Sequence, residues 1–354
     1  MREILRSLTE ALANGRERIV CQVVETKGST PQKAGAMMIV DPDGGQVGTL
    51  GGGCVENEVK MRAIARIGQT GTQVHSFILD HDYAWADGLI CGGKMVVAVE
   101  SARGVDSLDY YRTYDSLLSS GDGFTEAVRV DGRDMGDRVL FDAHGRAVAQ
   151  SRPGLIQAMV DGVTPLADRP RPRVKDGVAY LPRLPRVRLV VVGAGHVGQA
   201  VANLAAQADF DVWVVDDRRL YANPARFPTA ERLVVGPIDE VLASLDVDER
   251  TYAVIVTRGH GHDQEAVFHL APTRAAYVGL IGSRRKIRLI FESLRDAGVS
   301  DAALGRVSAP VGIEIGSETV IEIAISIVAE LIARRNLGGP SPLASPVEPE
   351  TAEA

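Results

Sequence analysis

Apolar residues Ile4, Leu5, Leu8 and Leu12 recur on one helical face, so residues 2–14 predict an amphipathic helix docked by that face. An apolar run at Ile19–Glu25 predicts a strand, closed by the turn-rich Lys27-Gly28-Ser29-Thr30-Pro31. Met37–Val40 and Gln46–Leu50 flank Asp41-Pro42-Asp43-Gly44-Gly45, the pattern of a β-hairpin. Glu56–Ile67 reads as a helix, and Thr72–Leu79 and Lys94–Glu100 as further strands, giving an α+β region. A weak echo follows, in which Arg138–Gly145 parallels Met38–Gly44 as strand, turn, strand. Common hairpin chemistry and internal duplication both account for it.

Pro165–Pro185 is rich in Pro and Arg and reads as an interdomain linker with one short strand near Val178–Leu181. From Arg186 the pattern changes. Strands fit at Arg188–Val192, Asp211–Val215, Leu233–Val235, Ala253–Thr257, Ala276–Ile281 and Arg306–Ser308, with helices between them and a last helix near Glu318–Arg335. Nearly continuous apolar strands alternating with helices predict a parallel, doubly wound sheet. The expected organisation is therefore α/β: an α+β domain (1–164), a linker (165–185), a Rossmann-like domain (186–336) and a disordered Pro-, Ser- and Glu-rich tail (337–354).

Composition narrows the function classes. A chain of 354 residues with 45% hydrophobic and 24% charged residues is ordinary for a globular protein of two domains. A net charge of −7 argues against nucleic acid as the main partner. No segment has the length and apolarity of a membrane-spanning helix, and three cysteines cannot build a disulfide framework, so a cytoplasmic location is expected.

Two of those cysteines stand beside glycine runs: Gly51-Gly52-Gly53-Cys54-Val55-Glu56 and Cys91-Gly92-Gly93. Bare backbone leaves a thiol accessible, and thiolates are soft ligands and nucleophiles, suited to metal or sulfur chemistry. The alternative is that each is a small buried hydrophobe, as Cys21 within Arg18–Val24 is expected to be.

Val190-Val191-Val192-Gly193-Ala194-Gly195-His196-Val197-Gly198 is a G-x-G-x-x-G directly after a strand and opening a helix. Gly193 permits the tight turn, Gly195 lets a pyrophosphate approach the backbone, and Gly198 lets helix and strand pack closely. His196 would stand near the pyrophosphate. Asp216 falls where an acid bonds a ribose hydroxyl, and Arg218 and Arg219 are near enough to serve a 2′-phosphate. A scaffold that keeps its glycines only for packing is the competing reading. Two further loops fall at carboxyl ends of strands. In Thr257-Arg258-Gly259-His260-Gly261-His262-Asp263, His260 and His262 are expected to line a site and Asp263 to cap a helix. In Ile281-Gly282-Ser283-Arg284-Arg285-Lys286, Ser283 is an N-cap and the basic residues gather charge for a phosphate-bearing ligand. Glu314 is a candidate site carboxylate, and Ser317 or Thr319 starts the last helix.

Taken together, Gly28–Pro31, Gly51–Glu56, Cys91–Gly93, Arg258–Asp263 and Ile281–Lys286 resemble, in order, the motifs of the XdhC/CoxI family of xanthine dehydrogenase accessory proteins. The resemblance spans about residues 19–335. It implies a chaperone that binds molybdenum cofactor (molybdopterin), helps it acquire a terminal sulfur and delivers it to a xanthine dehydrogenase-type molybdenum hydroxylase. A cysteine desulfurase would be the second partner, and a homodimer would suit docking on a dimeric enzyme. In that role Cys54 or Cys91 would bind molybdenum or carry a persulfide, with Cys54 the metal-ligand candidate. Gly51, Gly52 and Gly53 would form an anion nest near the pterin phosphate, and Glu56 would tune Cys54 or cap the helix. Gln32-Lys33 departs from the family, whose members often carry arginine after the proline. The alternative enzyme reading is an NAD(P)-dependent oxidoreductase, which leaves the cysteine loops idle. A metal protein using His260 and His262 is the third.

Overall fold

The computed structural model describes residues 1–79, 92–152, 154 and 156–338. Cys91 and residues 339–354, which include most of the expected tail, lie outside them. The chain divides into two compact units, Met1–Pro185 and Arg186–Ala354.

The first unit runs α1 (Arg2–Ala13), β1 (Arg18–Lys27), β2 (Met37–Val40), β3 (Gln46–Gly48), α2 (Gly53–Ala65), β4 (Thr72–Ile78) and β5 (Lys94–Ala102). It continues with α3 (Gly104–Ser120), β6 (Phe124–Arg129), β7 (Arg138–Phe141), β8 (Ala147–Gln150), α4 (Ile156–Val160), a 3₁₀ turn (Leu166–Asp168), β9 (Arg173–Lys175) and β10 (Val178–Arg183). Two sheets result, ordered β3-β2-β1-β5-β4 and β8-β7-β6-β10-β9. The second order is the first repeated strand for strand, and the hairpin turns match too. Asp41 N–H donates to the Gly45 carbonyl at 2.8 Å and Gly44 N–H to the Asp41 carbonyl at 2.9 Å; the corresponding bonds at Asp142, Arg146 and Gly145 are both 2.9 Å. The sequence echo is thus the trace of a repeated helix-and-sheet module.

Strand β1 is buried on both faces, which explains its unbroken apolar run. Ile19, Cys21 and Val23 pack with Val55, Val59 and Ala63 of α2. On the other face Val20 meets α1 and the tyrosines of α3, while Val24 meets Val128, Ala179 and Leu181 of the second sheet. That seam between sheets also holds a buried polar network. Arg138 donates to Glu126 at 2.8 Å, to Glu100 at 2.7 Å and to the Gln22 side chain at 2.5 Å. Tyr110 and Tyr111 complete the two carboxylates. The strand expected near Val178–Leu181 is β10, buried and paired with β6, but the linker reading needs correction: β9 and β10 both belong to the second sheet, and the first compact unit runs on to Pro185. Proline and arginine density suggested a linker, but Pro182 lies within β10, whose apolar residues are part of the second sheet.

The second unit contains β11 (Arg188–Val192), α5 (His196–Gln207), β12 (Asp211–Asp216), β13 (Arg232–Val235), α6 (Ile238–Ala243), β14 (Thr251–Ile255) and α7 (His260–Leu270). Then come β15 (Tyr277–Leu280), α8 (Arg284–Asp296), α9 (Asp301–Leu304), β16 (Val307–Ser308) and α10 (Val320–Leu337). Every neighbour pair is parallel, in the order β13-β12-β11-β14-β15-β16. This is the predicted doubly wound sheet. Leu189 and Val191 join α5 and α10 on one face; Val190 and Val192 join α7 and α8 on the other. Strand order reverses between β11 and β14, the place where such sheets open a crevice.

Candidate functional site

Three loops converge at one end of the first sheet. Gly51 has φ +109°, and a Cβ there would lie 2.3 Å from the Pro31 Cβ. A Cβ on Gly93 would meet the Ser29 carbonyl oxygen at 2.1 Å, and Gly28, at φ +70°, rests against the Gly93 Cα. The motifs at 28–31 and 51–54 and the pair Gly92-Gly93 therefore form one contiguous backbone cluster. Only glycine permits this approach. Cys91 falls outside the described residues, immediately before Gly92.

Helix α2 begins at Gly53, earlier than the sequence pattern suggested, so Cys54 lies in its first turn and is half-buried. The helix dipole favours negative charge at this end. Gly52, the N-cap, has φ +75° and open space where a Cβ would be. Glu56 neither caps by the usual N-cap side chain nor points away. Its Oε2 accepts from the Thr49 hydroxyl at 2.6 Å, Leu50 N–H at 2.6 Å and Gly52 N–H at 3.1 Å, and its Oε1 from Gln46 at 3.0 Å. Burial would raise its pKa, but these hydrogen bonds outweigh it and hold the carboxyl below its ordinary range. The anion nest expected at Gly51–Gly53 is thus partly filled by the chain's own carboxylate. Cys21, by contrast, is core: burial first, then the charge of Glu100, pushes its thiol up to about 12.

At the carboxyl edge of the second unit's sheet the fingerprint glycines have the expected geometry. Gly193 has φ +114°, and a Cβ there would lie 2.5 Å from the Val256 carbonyl oxygen. A Cβ on Gly198 would meet the Gly193 carbonyl at 1.9 Å, whereas Gly195 faces open space. Asp216 departs from expectation. It is 2% exposed, and its Oδ2 accepts Ala194 N–H at 2.7 Å and Arg218 Nη2 at 3.0 Å. Its Oδ1 accepts Arg218 N–H and Nε, both at 2.9 Å. Burial, which would raise its pKa, is outweighed by these bonds, and the carboxyl is held below its ordinary range. The acid is committed to the loop and to Arg218, which itself stacks on Tyr221 with 3.9 Å from guanidinium carbon to ring centre. Neither residue is available to a ribose or a 2′-phosphate as they stand, and the NAD(P) expectation finds no support in this arrangement. From the loop after β14, Arg258 reaches Asp217 after β12 at 2.8 Å. Because β11 lies between these strands, the pair links the loops on either side of the glycine turn. Sequence spacing alone gave no signal for it.

His196 and His260 are exposed first residues of α5 and α7. His262 faces Glu265 at 2.9 Å. The expected Asp263 cap is corrected: α7 starts at His260 with Gly259 as N-cap. Asp263 is fully buried instead, accepting from the Thr257 hydroxyl at 2.7 Å and pairing with Lys286. Among the described residues no group of three or more His, Cys, Asp or Glu side chains could hold a metal ion. Ser283 caps α8, accepting Lys286 N–H at 3.3 Å, with Arg284 and Arg285 exposed beside it. Thr319, rather than Ser317, starts α10 through a capping box with Glu322.

Two family models match the sequence: the XdhC and CoxI family over residues 11–77, and the XdhC Rossmann domain over residues 189–331, together more than half of the chain. The chain belongs to the XdhC/CoxI family. Its relatives include a Bacillus subtilis protein named as a probable xanthine dehydrogenase subunit, 28% identical over 93% of this chain and 96% of that one. Another is the Escherichia coli molybdenum cofactor insertion chaperone PaoD, 23% identical over 94% of this chain and 88% of PaoD. A crystal structure described as a xanthine dehydrogenase from Bacillus halodurans has the same fold, with a TM-score of 0.78 over 97% of this XdhC/CoxI chain and 98% of that one at 23% identity. No described helix is long and apolar enough to cross a membrane.

Proposed function

We propose that this protein is an accessory factor that binds molybdenum cofactor, supports its sulfuration and delivers it to a xanthine dehydrogenase-type molybdenum hydroxylase. The observation that carries the reading is the convergence of three glycine loops on the first turn of α2, which presents Cys54 on backbone that only glycine can form. The relative named as a molybdenum cofactor insertion chaperone supports it. The donor set suits the cargo: a half-exposed thiol is a soft ligand for molybdenum and an acceptor for sulfur, and the open face of Gly52 admits a ligand close to backbone. Cys54, with Cys91, serves as ligand or sulfur carrier. In the sulfur-carrying role the Cys54 thiolate attacks the terminal sulfur of a cysteine desulfurase persulfide, which forms the Cys54 persulfide and releases the desulfurase thiolate. Glu56 holds the loop that presents the thiol.

The test is binding of molybdenum cofactor to the purified chain and activation of the hydroxylase apoenzyme with a cysteine desulfurase present. Cys54→Ala should lose cofactor binding or sulfuration while keeping its circular dichroism spectrum. Unchanged hydroxylase activation by that variant would remove Cys54 from the mechanism, and absence of cofactor binding by the native chain would remove the function.

A further inference from the structure

Two strands from the fingerprint turn, the second unit contains a cavity of about 520 Å³ at the carboxyl ends of β15 and β16. Its size lies within the range of small-molecule sites. Val307, Val311, Ile281 and Ile323 supply apolar lining.

Buried side chains of α10 fix the loop that forms one wall. Glu330, only 4% exposed, accepts from the Ser308 hydroxyl at 2.7 Å and Gly312 N–H at 2.5 Å. The Ser326 hydroxyl donates to the Ile313 carbonyl at 2.5 Å. Gly312 has φ +104°, and a Cβ there would stand 2.4 Å from the Ser326 Oγ, so the wall passes as close to α10 as backbone allows. A wall held in this way is preorganised and does not depend on a ligand to form it.

Two charges line the cavity. Arg284, the first residue of α8, makes no ion pair or side-chain hydrogen bond among the described residues, and the first-turn N–H groups of α8 reinforce its positive charge. Glu314 accepts Gly316 N–H on Oε1 at 2.9 Å, which leaves Oε2 without a partner among the described residues. A carboxylate accepts the paired N–H donors of an aminopyrimidinone edge, whereas a guanidinium accepts an anion.

We propose that this cavity binds a phosphorylated, planar 2-amino-4-oxopyrimidine-fused ring, with Glu314 on the amino-N–H edge, the apolar walls on the ring faces and Arg284 on the phosphate. Two sources carry that chemistry: a phosphorylated pterin and a guanine nucleotide. The pterin source rests on the cofactor-carrier reading above; the cavity's chemistry does not.

The experiment titrates the full chain with 6-hydroxymethylpterin phosphate and with GMP, by pterin fluorescence and calorimetry. Unphosphorylated 6-hydroxymethylpterin and guanosine, together with the 2-oxo counterparts, the matching lumazine phosphate and XMP, serve as controls. Native protein should bind a 2-amino phosphate at least tenfold more tightly than either control of its series. Arg284→Ala should remove the preference for phosphate, and Glu314→Gln the preference for the 2-amino ring. Each variant should leave the other preference intact, a crossed pattern that misfolding would not produce. Binding of GMP alone would support the cavity and assign it to a guanine nucleotide, withdrawing it from the cofactor reading. No discrimination by the native chain, or equal discrimination by both variants, would overturn the proposal. If molybdenum cofactor still bound in a Cys54-dependent way, the function proposed above would survive that failure.

Discussion

Glu56 makes the sharpest prediction, because one carboxylate ties together the whole cysteine loop. Replacing it with alanine removes the acceptor for Leu50 N–H, which belongs to a residue only 1% exposed, and for Gly52 N–H, which is half-buried. A buried donor left unpaired costs about 1–3 kcal/mol, and the Thr49 and Gln46 contacts add little because water replaces them. Glu56→Ala should therefore destabilise the chain by about 2 kcal/mol in urea denaturation. Glu56→Gln keeps one carbonyl oxygen in place and should cost about 1 kcal/mol. The pH dependence has a fixed sign. The folded pKa is depressed below the ordinary 4.5, so the carboxylate's contribution is complete above that value and is lost as pH falls through the folded pKa. The gap between native protein and Glu56→Gln should be full at neutral pH and close in acid. A second readout is alkylation of Cys54 by iodoacetamide in a Cys91→Ser background, which should accelerate several-fold in Glu56→Ala as the loop loosens. A cost under about 0.5 kcal/mol together with an unchanged alkylation rate would refute the loop-lock argument.

Cys21, with its thiol pushed up to about 12 by burial and by Glu100, should resist iodoacetamide in the folded protein and react only once urea unfolds it, as peptide mass spectrometry would report. Arg138→Met should lower stability by about 3–5 kcal/mol, because Glu126, 0% exposed, would keep a buried charge without its arginine; the denaturant midpoint measures this. Gly51→Ala should be destabilised by more than about 1 kcal/mol and, on the proposed carrier function, should bind molybdenum cofactor more weakly, since φ +109° and the contact with Pro31 both exclude a Cβ.

The second unit was the more legible part of the sequence, since strand-long apolar runs, turn glycines and helix caps all agree on one parallel sheet. Ser283 capped as its position suggested. Site chemistry was harder to read, because the decisive partners are remote in sequence or point inward. Asp216 looked like a ribose acid by spacing, yet Arg218 two residues on has the reach to close on it. Asp263 stood three residues inside a helix whose true start was set by Gly259. In the first unit, the helix Gly104–Ser120 has a faint sequence pattern although Tyr110, Tyr111 and Tyr114 lie on its buried face, because tyrosines give a weaker periodic signal than aliphatic residues. The convergence of 28–31 with 51–54 and Gly92-Gly93 was invisible for a different reason: nothing local encodes which loops meet at a sheet end.

The two copies of the repeated module differ at the link that follows their third strand. In the first copy, Thr49–Gly52 joins β3 to α2, and Glu56 reaches back to hold this link with φ positive at Gly51 and Gly52. In the second copy, β8 is followed by Ser151 and Arg152, and Arg152 binds Asp137 and Asp134, each at 2.5 Å, so the same position closes an ion-paired surface. The copies share their stability at the seam, where Arg138 of the second bridges Gln22 and Glu100 of the first. At that seam Gln22, Glu100 and Glu126 lie within β1, β5 and β6, whereas the glycine loops lie beyond strand ends. A scaffold stabilised at its seam can hold positive-φ glycine backbone at one edge without unfolding. Loss of Arg138 should then lower global stability and leave the Cys54 alkylation rate of the folded fraction unchanged, whereas loss of Glu56 should raise that rate. If Arg138→Met also accelerated Cys54 alkylation under fully native conditions, seam and loop would be mechanically coupled and the separation argued here would fail.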